Sequence, residues 1–334
     1  MKFGVALPTA YEGLIYPRPF ATPEAIVRIA TEAEALGFDS VMPNDHFNTQ
    51  NYVRRLFGDG EPPRYYDPFV SLAAVSAHTQ RIRLMTGVIV LPLRDPVSVA
   101  KMAATLDQFS AGRLVLGVGV GAYREEFLSV RPERRAWRRG DIVEEATRAI
   151  RVLLEEDRAS FGGRFWRFED VQLTPKPLQR PLPIYIGGNA EANLARAATL
   201  AQGWLPAVLS PSEIGSAVGR LRALGSADGL EVAPQLIVSI GRDYEQALDR
   251  FQSSHAYPHL VSLQSSTLRG QRGGYEQRNL IGSPADLLDQ VRAYERAGAT
   301  ELSGLIFAVN SVDEFVDQMR DFAERVIAPY RATG

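Results

Sequence analysis

Residues 82–118 read IRLMTGVIVLPLRDPVSVAKMAATLDQFSAGRLVLGV, and this stretch decides the fold. It opens on Ile82–Val90, an apolar run of strand length. Asp95-Pro96 follows, an N-cap residue and a proline whose fixed backbone suits the first helical position. A helical pattern continues to Phe109, and Leu114–Val118 is a second apolar run. Strand, helix, strand in this order is a parallel βαβ unit.

The same alternation extends outward in both directions. Upstream, Lys2–Leu7 is a first strand, Thr22-Pro23-Glu24 starts a helix that Gly37 stops, and Phe38–Met42 is a second strand. The polar stretch Asn44–Tyr66 is too long for a plain connection, and Asp67-Pro68 opens a helix to about His78. Downstream, Glu133–Glu156 predicts one long charged helix. Residues 157–182 break the rhythm with a turn between aromatics (Phe161 to Trp166) and the prolines Pro175, Pro177, Pro181 and Pro183, and read as a hairpin-like insertion. Strands are then expected at Ile184–Ile186, Gly203–Ala207, Gln235–Ile240 and Glu301–Phe307. Helices are expected at Ala190–Leu200, Ser212–Leu224, Tyr244–Ser253, Ser283–Arg296 and Val312–Ile327. Ser265–Asn279, rich in Gly, Ser and Gln, reads as a loop. Eight strands, each followed by a helix, make an α/β fold of the (β/α)8 TIM-barrel type. One domain would span 1–334, with insertions after strands two, four and seven (about 44–66, 157–182 and 255–281). A doubly wound sheet is the rival, and regular alternation with no break into halves favours the barrel.

Composition removes several function classes. The 334 residues include no cysteine, which excludes disulfides, iron–sulfur clusters, Cys-ligated zinc and thiol nucleophiles. The net charge of −2 suggests neither nucleic-acid nor membrane partners. There is no signal-peptide pattern and no run of membrane-spanning length, so the cytoplasm is the expected location. Of 37 basic residues only Lys2, Lys101 and Lys176 are lysine, so any anion site must rely on arginine and backbone N–H groups.

Barrels of this kind place their chemistry where the strands end at their C-termini. After strand two come Asn44, Asp45 and His46; an acid beside a histidine can donate or accept a proton near neutral pH. The bland reading makes Asp45 a loop cap and His46 a hydrogen-bonded residue. After strand three come Thr86, Gly87 and Val88, where glycine in an apolar run suggests a bulge or close ligand approach. After strand four, Gly119, Gly121 and Tyr123 follow a spacing that lets a planar group lie on bare backbone. After strand five, Gly187, Gly188 and Asn189 lead into a helix whose first N–H groups suit an anion. His255 and His259 have metal-like spacing, but Pro258 between them argues against a helix, and no metal site is expected. There is no nucleophile elbow and no P-loop.

Taken together, these stretches resemble the bacterial-luciferase-like monooxygenase and oxidoreductase superfamily. The resemblance rests on Ala33–Phe38 (AEALGF), Asn44–Phe47 (NDHF), Arg81–Val88 (RIRLMTGV), Leu106–Tyr123, Arg124–Phe127 (REEF), Pro183–Asn189 (PIYIGGN) and Gly203-Trp204. It implies a TIM barrel that binds FMN or the deazaflavin coenzyme F420 at its C-terminal mouth. Asp45-His46-Phe47 resembles the F420-dependent branch, where many FMN-dependent members carry a Glu-His-His type sequence. The resemblance further implies a non-proline cis peptide at Gly87–Val88, His46 and Asn44 near the reactive face of the ring, Asp45 as a second catalytic group, and a homodimer. The cofactor would contact Asn44, His46, Thr86, Gly87, Val88, Gly119, Gly121, Tyr123, Gly187, Gly188 and Asn189, beside a small organic substrate. Under the FMN alternative a separate reductase supplies reduced flavin; a non-catalytic flavin carrier is the alternative of another class.

One departure matters. The glucose-6-phosphate dehydrogenases of the F420 branch carry a glutamate where this chain has Ala122, and their phosphate-binding lysines are missing here. Tyr123 and Glu125 are the remaining candidates for an acid–base group besides His46. Two arginine clusters, Arg131, Arg134, Arg135, Arg138 and Arg139, and Arg269, Arg272 and Arg278, read either as a solvated face paired with Glu133, Asp141, Glu144 and Glu145 or as a basic rim for the oligoglutamate tail of F420. Tyr11, Tyr16, Phe20, Phe47, Tyr65, Tyr66 and Trp204 would make an aromatic substrate pocket.

Overall fold

The computed structural model describes residues 1–58, 60–226, 229–265, 267–269 and 274–332. In chain order the elements are β1 (Lys2–Leu7), α1 (Pro23–Ala35), β2 (Ser40–Pro43), α2 (Asn51–Phe57), α3 (Pro68–His78), β3 (Arg83–Met85), β4 (Ile89–Val90), α4 (Pro96–Phe109) and β5 (Leu114–Gly119). Next come α5 (Arg124–Val130), α6 (Arg139–Glu155), β6 (Ala159–Gly162), β7 (Arg167–Val171), β8 (Ile184–Gly187), α7 (Glu191–Leu200), β9 (Gly203–Leu205) and α8 (Pro211–Ala223). The chain continues with β10 (Glu231–Val232), β11 (Gln235–Ile240), α9 (Tyr244–Ser253), α10 (Ala256–Ser262), β12 (Leu280–Gly282), α11 (Pro284–Arg296), β13 (Glu301–Phe307) and α12 (Val312–Phe322).

The main sheet is parallel and curled, in the order β10-β9-β8-β5-β3-β2-β1-β13-β11-β12. A parallel bridge between Ala207 and Gln235 and the Ala233 N–H on the Trp204 carbonyl (2.9 Å) bring the two sides of that order together. The strands are buried along nearly their whole length, so they read as continuous apolar runs rather than alternating ones.

Helix starts follow the local chemistry. Thr22, Asp67, Asp95, Ser210 and Ser283 each accept a backbone N–H of the first turn, and each is followed by proline. Each of these caps fixes where the chain turns from a strand end into its covering helix.

The structure departs from the sequence reading at several places, among them the short helices α2 and α5, which were not expected. The run Ile82–Val90 is two strands, β3 and β4, because Thr86–Val88 leave the ladder and the Gly87–Val88 peptide is cis. The helix expected from Glu133 starts at Arg139, after a 3-10 turn at Pro132–Arg134. Pro258 does not exclude a helix: it is the third residue of α10, where a missing N–H removes no intrahelical bond. The Gly/Ser-rich loop gives way to β12, paired in parallel with β11. The hairpin in 157–182 is present as antiparallel β6 and β7. No helix among the described residues is long and apolar enough to cross a membrane.

Candidate active site

A cleft of about 190 Å³ lies where β1, β2, β3, β5, β8 and β9 end, and Met42, His46, Val88, Gly119, Tyr123 and Gly188 are among its lining residues. Val88 fills the space left by missing side chains. A Cβ on Gly119 would meet Val88 Cγ2 at 2.7 Å, and one on Gly187 would meet Val88 Cγ1 at 2.5 Å. Gly121 is matched in the same way to Val90, at 2.8 Å. So the glycines expected to bare the backbone for a ligand first make room for β3–β4 side chains, and these present an apolar bulge to the cleft.

His46 is held from behind. Its Nδ1 lies 2.9 Å from Oε2 of Glu126, and the other Glu126 oxygen accepts the N–H groups of Phe47 (2.6 Å) and Asn48 (3.2 Å). Glu126 is buried. Gln50 Nε2 also reaches Nδ1, at 2.8 Å, and Tyr65 donates to Gln50 Oε1. One ring nitrogen cannot serve both neighbours, and a charge-assisted bond outweighs a neutral one. The carboxylate accepts only, so it draws the proton onto Nδ1 and leaves Nε2 as the working nitrogen. Nε2 makes no hydrogen bond among the described residues. Sequence reasoning missed Glu126 and offered Glu125, whose carboxylate instead takes the backbone and side-chain N–H groups of Asn51, at 2.7 Å each.

Several expected site residues are engaged by the protein's own hydrogen bonds. Asp45, expected beside His46 as a catalytic group, is buried and accepts Nε and Nη2 of Arg94 (2.9 and 2.7 Å) and the Val90 N–H (2.9 Å). With both oxygens so engaged it anchors the loop. Asn44 lines the cleft, but its amide is spent on Thr9 and Ala10. Thr86, expected to contact the cofactor, is buried, donates to the Gly117 carbonyl and does not line the cleft. Asn189 is clamped on Ala207 through both ends of its amide. The Gly188 N–H goes to the Leu205 carbonyl at 3.0 Å, so the helix-start amides left for an anion begin at Asn189.

A second cleft adjoins the first, lined by Gly188, Asn189, Ala190, Arg124, Arg139 and Arg269, among others. Of the arginine clusters, Arg139 binds the carbonyls of Val120 and Gly121, Arg134 packs on Trp137 and Trp166, and Arg278 pairs with Glu213. Arg272 lies outside the described residues. Of the expected acidic partners, Glu133 pairs with Arg134 at 3.5 Å, whereas Glu144 pairs with Arg148 and Arg196 and Glu145 caps the N–H groups of residues 164–166. The aromatic pocket also disperses. Tyr16 stacks on Phe20 at 4.1 Å in the core, Trp204 is buried with its N–H on the Gly188 carbonyl, and Phe47 lies outside under Arg94; Tyr11 alone of the seven lines the cleft.

His259, weighed in the sequence only as a metal ligand, is brought by α10 to the cleft wall. Burial, reinforced by nearby His46, pushes its pKa down to about 3, so its imidazole is neutral. The Tyr123 hydroxyl lies 3.5 Å from His259 Nδ1 and 3.5 Å from Ser262 Oγ, and burial pushes it up to about 12. No group of three or more metal-ligating side chains occurs among the described residues.

Known proteins share this architecture. An uncharacterised protein of Mycobacterium tuberculosis is 33% identical over 252 residues, which cover 71% of this chain and 83% of the relative. An F420-dependent glucose-6-phosphate dehydrogenase of Kineococcus radiotolerans is 35% identical over 167 residues, 49% of this chain and 46% of the relative. An FMNH2-dependent dimethylsulfone monooxygenase of Pseudomonas putida is 30% identical over 223 residues, 66% of this chain and 58% of the relative. In structure, an F420-dependent secondary alcohol dehydrogenase superposes with a TM-score of 0.75 at 19% identity, covering 97% of this chain and 98% of the other. Residues 1–301 match the sequence model of the luciferase-like monooxygenases, and the chain belongs to that family.

Proposed function

We propose that this protein is an oxidoreductase that transfers a hydride between coenzyme F420 and a small organic substrate. The observation that carries the reading is the His46–Glu126 contact at 2.9 Å on the cleft wall. Hydride loss from an alcohol carbon leaves a hydroxyl proton to be removed, and Nε2 of an imidazole held through Nδ1 is placed to accept it.

The residues present fit a flavin-like group. Val88, raised on Gly119 and Gly187, offers an apolar bulge against which a tricyclic ring can rest. The amides from Asn189 onward, at the start of α7, with Arg124, Arg139 and Arg269 in the same cleft, suit a phosphate and an acidic tail. When bound, the deazaflavin supplies the carbon that accepts or gives the hydride. His46 moves the proton, Glu126 fixes the imidazole, and Asp45 with Arg94 fixes the loop that carries His46. This reading takes the sheet as a (β/α)8 barrel in one domain, with insertions after strands two, four and seven, and the protein as a cytoplasmic homodimer.

An FMN-dependent monooxygenase served by a separate reductase is the second reading, favoured by the likeness to the FMNH2-dependent relative. The Asp45-His46-Phe47 form and the arginine-lined cleft favour F420. A non-catalytic carrier has no need of a buried carboxylate fixing a cleft imidazole. His46→Ala tests the proposal: F420 binding should persist while hydride transfer, followed at 420 nm under anaerobic conditions, is lost. Normal transfer in that variant would overturn the role of His46.

A further inference from the structure

His259 and Tyr123 are polar groups that the proposed hydride transfer does not yet use. Both line the cleft, and the contacts of the Tyr123 hydroxyl with His259 Nδ1 and Ser262 Oγ are long, at 3.5 Å each. Two contacts of 3.5 Å leave the Tyr123 hydroxyl at the outer limit of hydrogen bonding, and His259 Nδ1 shares one of them. Bonds this long are weak, and a ligand atom at closer range offers these groups a better partner. The His46 and Tyr123 rings are neighbours in the cleft lining, 6.1 Å apart centroid to centroid.

The charge of the lining adds a constraint. Asp45 is the one acidic lining residue and is neutralised by Arg94; no lysine or arginine lines this cleft among the described residues. Its remaining wall is largely apolar, with Leu14, Met42, Val88, Val120, Leu205 and Leu263. An anionic substrate would find no counter-charge there, and desolvating it would be costly.

We propose that Tyr123 and His259 are the substrate-orienting pair of this site, holding the oxygen of a neutral alcohol or ketone against Nε2 of His46. This assignment rests on the hydride-transfer reading and narrows its substrate to uncharged hydroxyl or carbonyl compounds. In the alcohol direction the carbon loses a hydride to the deazaflavin and the hydroxyl proton goes to Nε2; in reverse, the ketone gains both. Tyr123 and His259 gain and lose no proton.

Cyclohexanol and cyclohexanecarboxylate serve as probes, titrated calorimetrically into the wild-type protein saturated with oxidised F420 and, in parallel, without it. Cyclohexanol should bind and the carboxylate should not. Tyr123→Phe and His259→Leu should each weaken cyclohexanol about tenfold, as loss of one ligand hydrogen bond does. His259→Gln should recover part of the loss, and F420 affinity of the two His259 variants should stay within about twofold of wild type. Failure of wild type to bind cyclohexanol, preference for the carboxylate, or unchanged cyclohexanol affinity in both loss variants would each overturn the assignment. Absorbance at 420 nm in the same samples reports hydride transfer separately. Binding without any transfer would count against the redox reading and leave the orienting pair standing.

Discussion

Glu126 and His46 stand 80 positions apart in sequence and meet at 2.9 Å, and the same carboxylate caps the two backbone N–H groups that follow the histidine. One buried acid therefore sets both the tautomer of the imidazole and the path of its loop. Glu126→Gln keeps the shape but gives up the anionic acceptor. Turnover should fall by about 10²–10⁴-fold, the range of a general acid–base contribution, with little change in melting temperature. Glu126→Ala should also destabilise the fold, by about 2–4 kcal/mol, since three donors lose their acceptor. Steady-state kinetics and thermal unfolding of both variants check the split.

Arg94 ties that loop to the next helix. It binds Asp45 and also Asp67, the N-cap of α3, at 2.7 Å. The Asp45 and Arg94 side chains are 1% and 9% exposed, so removing the cation leaves an uncompensated buried charge. Arg94→Met should cost about 3–5 kcal/mol, and adding Asp45→Asn should restore part of it. Urea unfolding of the single and double variants measures the coupling.

The bulge at Val88 depends on glycines it never neighbours in sequence. Gly187→Ala would bring a methyl to 2.5 Å from Val88 Cγ1. Overpacking of this kind should cost about 1–3 kcal/mol and weaken cofactor binding by tilting the bulge. Val88→Ala in the same chain should relieve the clash, so the double variant should be more stable than Gly187→Ala alone. Unfolding midpoints and cofactor titrations of the three variants give the answer.

His259 imposes an acid limit on the fold. Its folded pKa is pushed down to about 3 from an ordinary 6.5, so the folded state refuses a proton that the unfolded chain accepts. Above pH 6.5 the group contributes no pH dependence. As pH falls from there towards 3, it should remove stability at up to ~1.4 kcal/mol per pH unit. His259→Leu should flatten the acid limb of a stability-versus-pH curve. An unchanged limb would show that His259 takes its proton in the folded state.

The fold was legible because each strand is a short apolar run and several helices start on a cap followed by proline. His46 was legible as a titratable residue just after a strand. Its partner was not: Glu125 and Glu126 are adjacent, and only the turn of α5 decides which one faces His46 and which faces Asn51. The scaffold bonds of Asn44, Asp45, Thr86 and Asn189 were hidden for a related reason. Polar residues at strand ends must satisfy the chain's own backbone before they can serve a ligand, and these four do. His259 was hidden by Pro258, which stops a helix from its middle but not from its first turn.

Equilibrium titration of the purified protein with F420 and, separately, with FMN, followed by absorbance, tests the cofactor most directly. F420 should bind, and its affinity should fall steeply between about 0.05 and 0.5 M salt as the arginine-lined cleft is screened from the acidic tail. Tight FMN binding with no F420 binding would contradict the proposal.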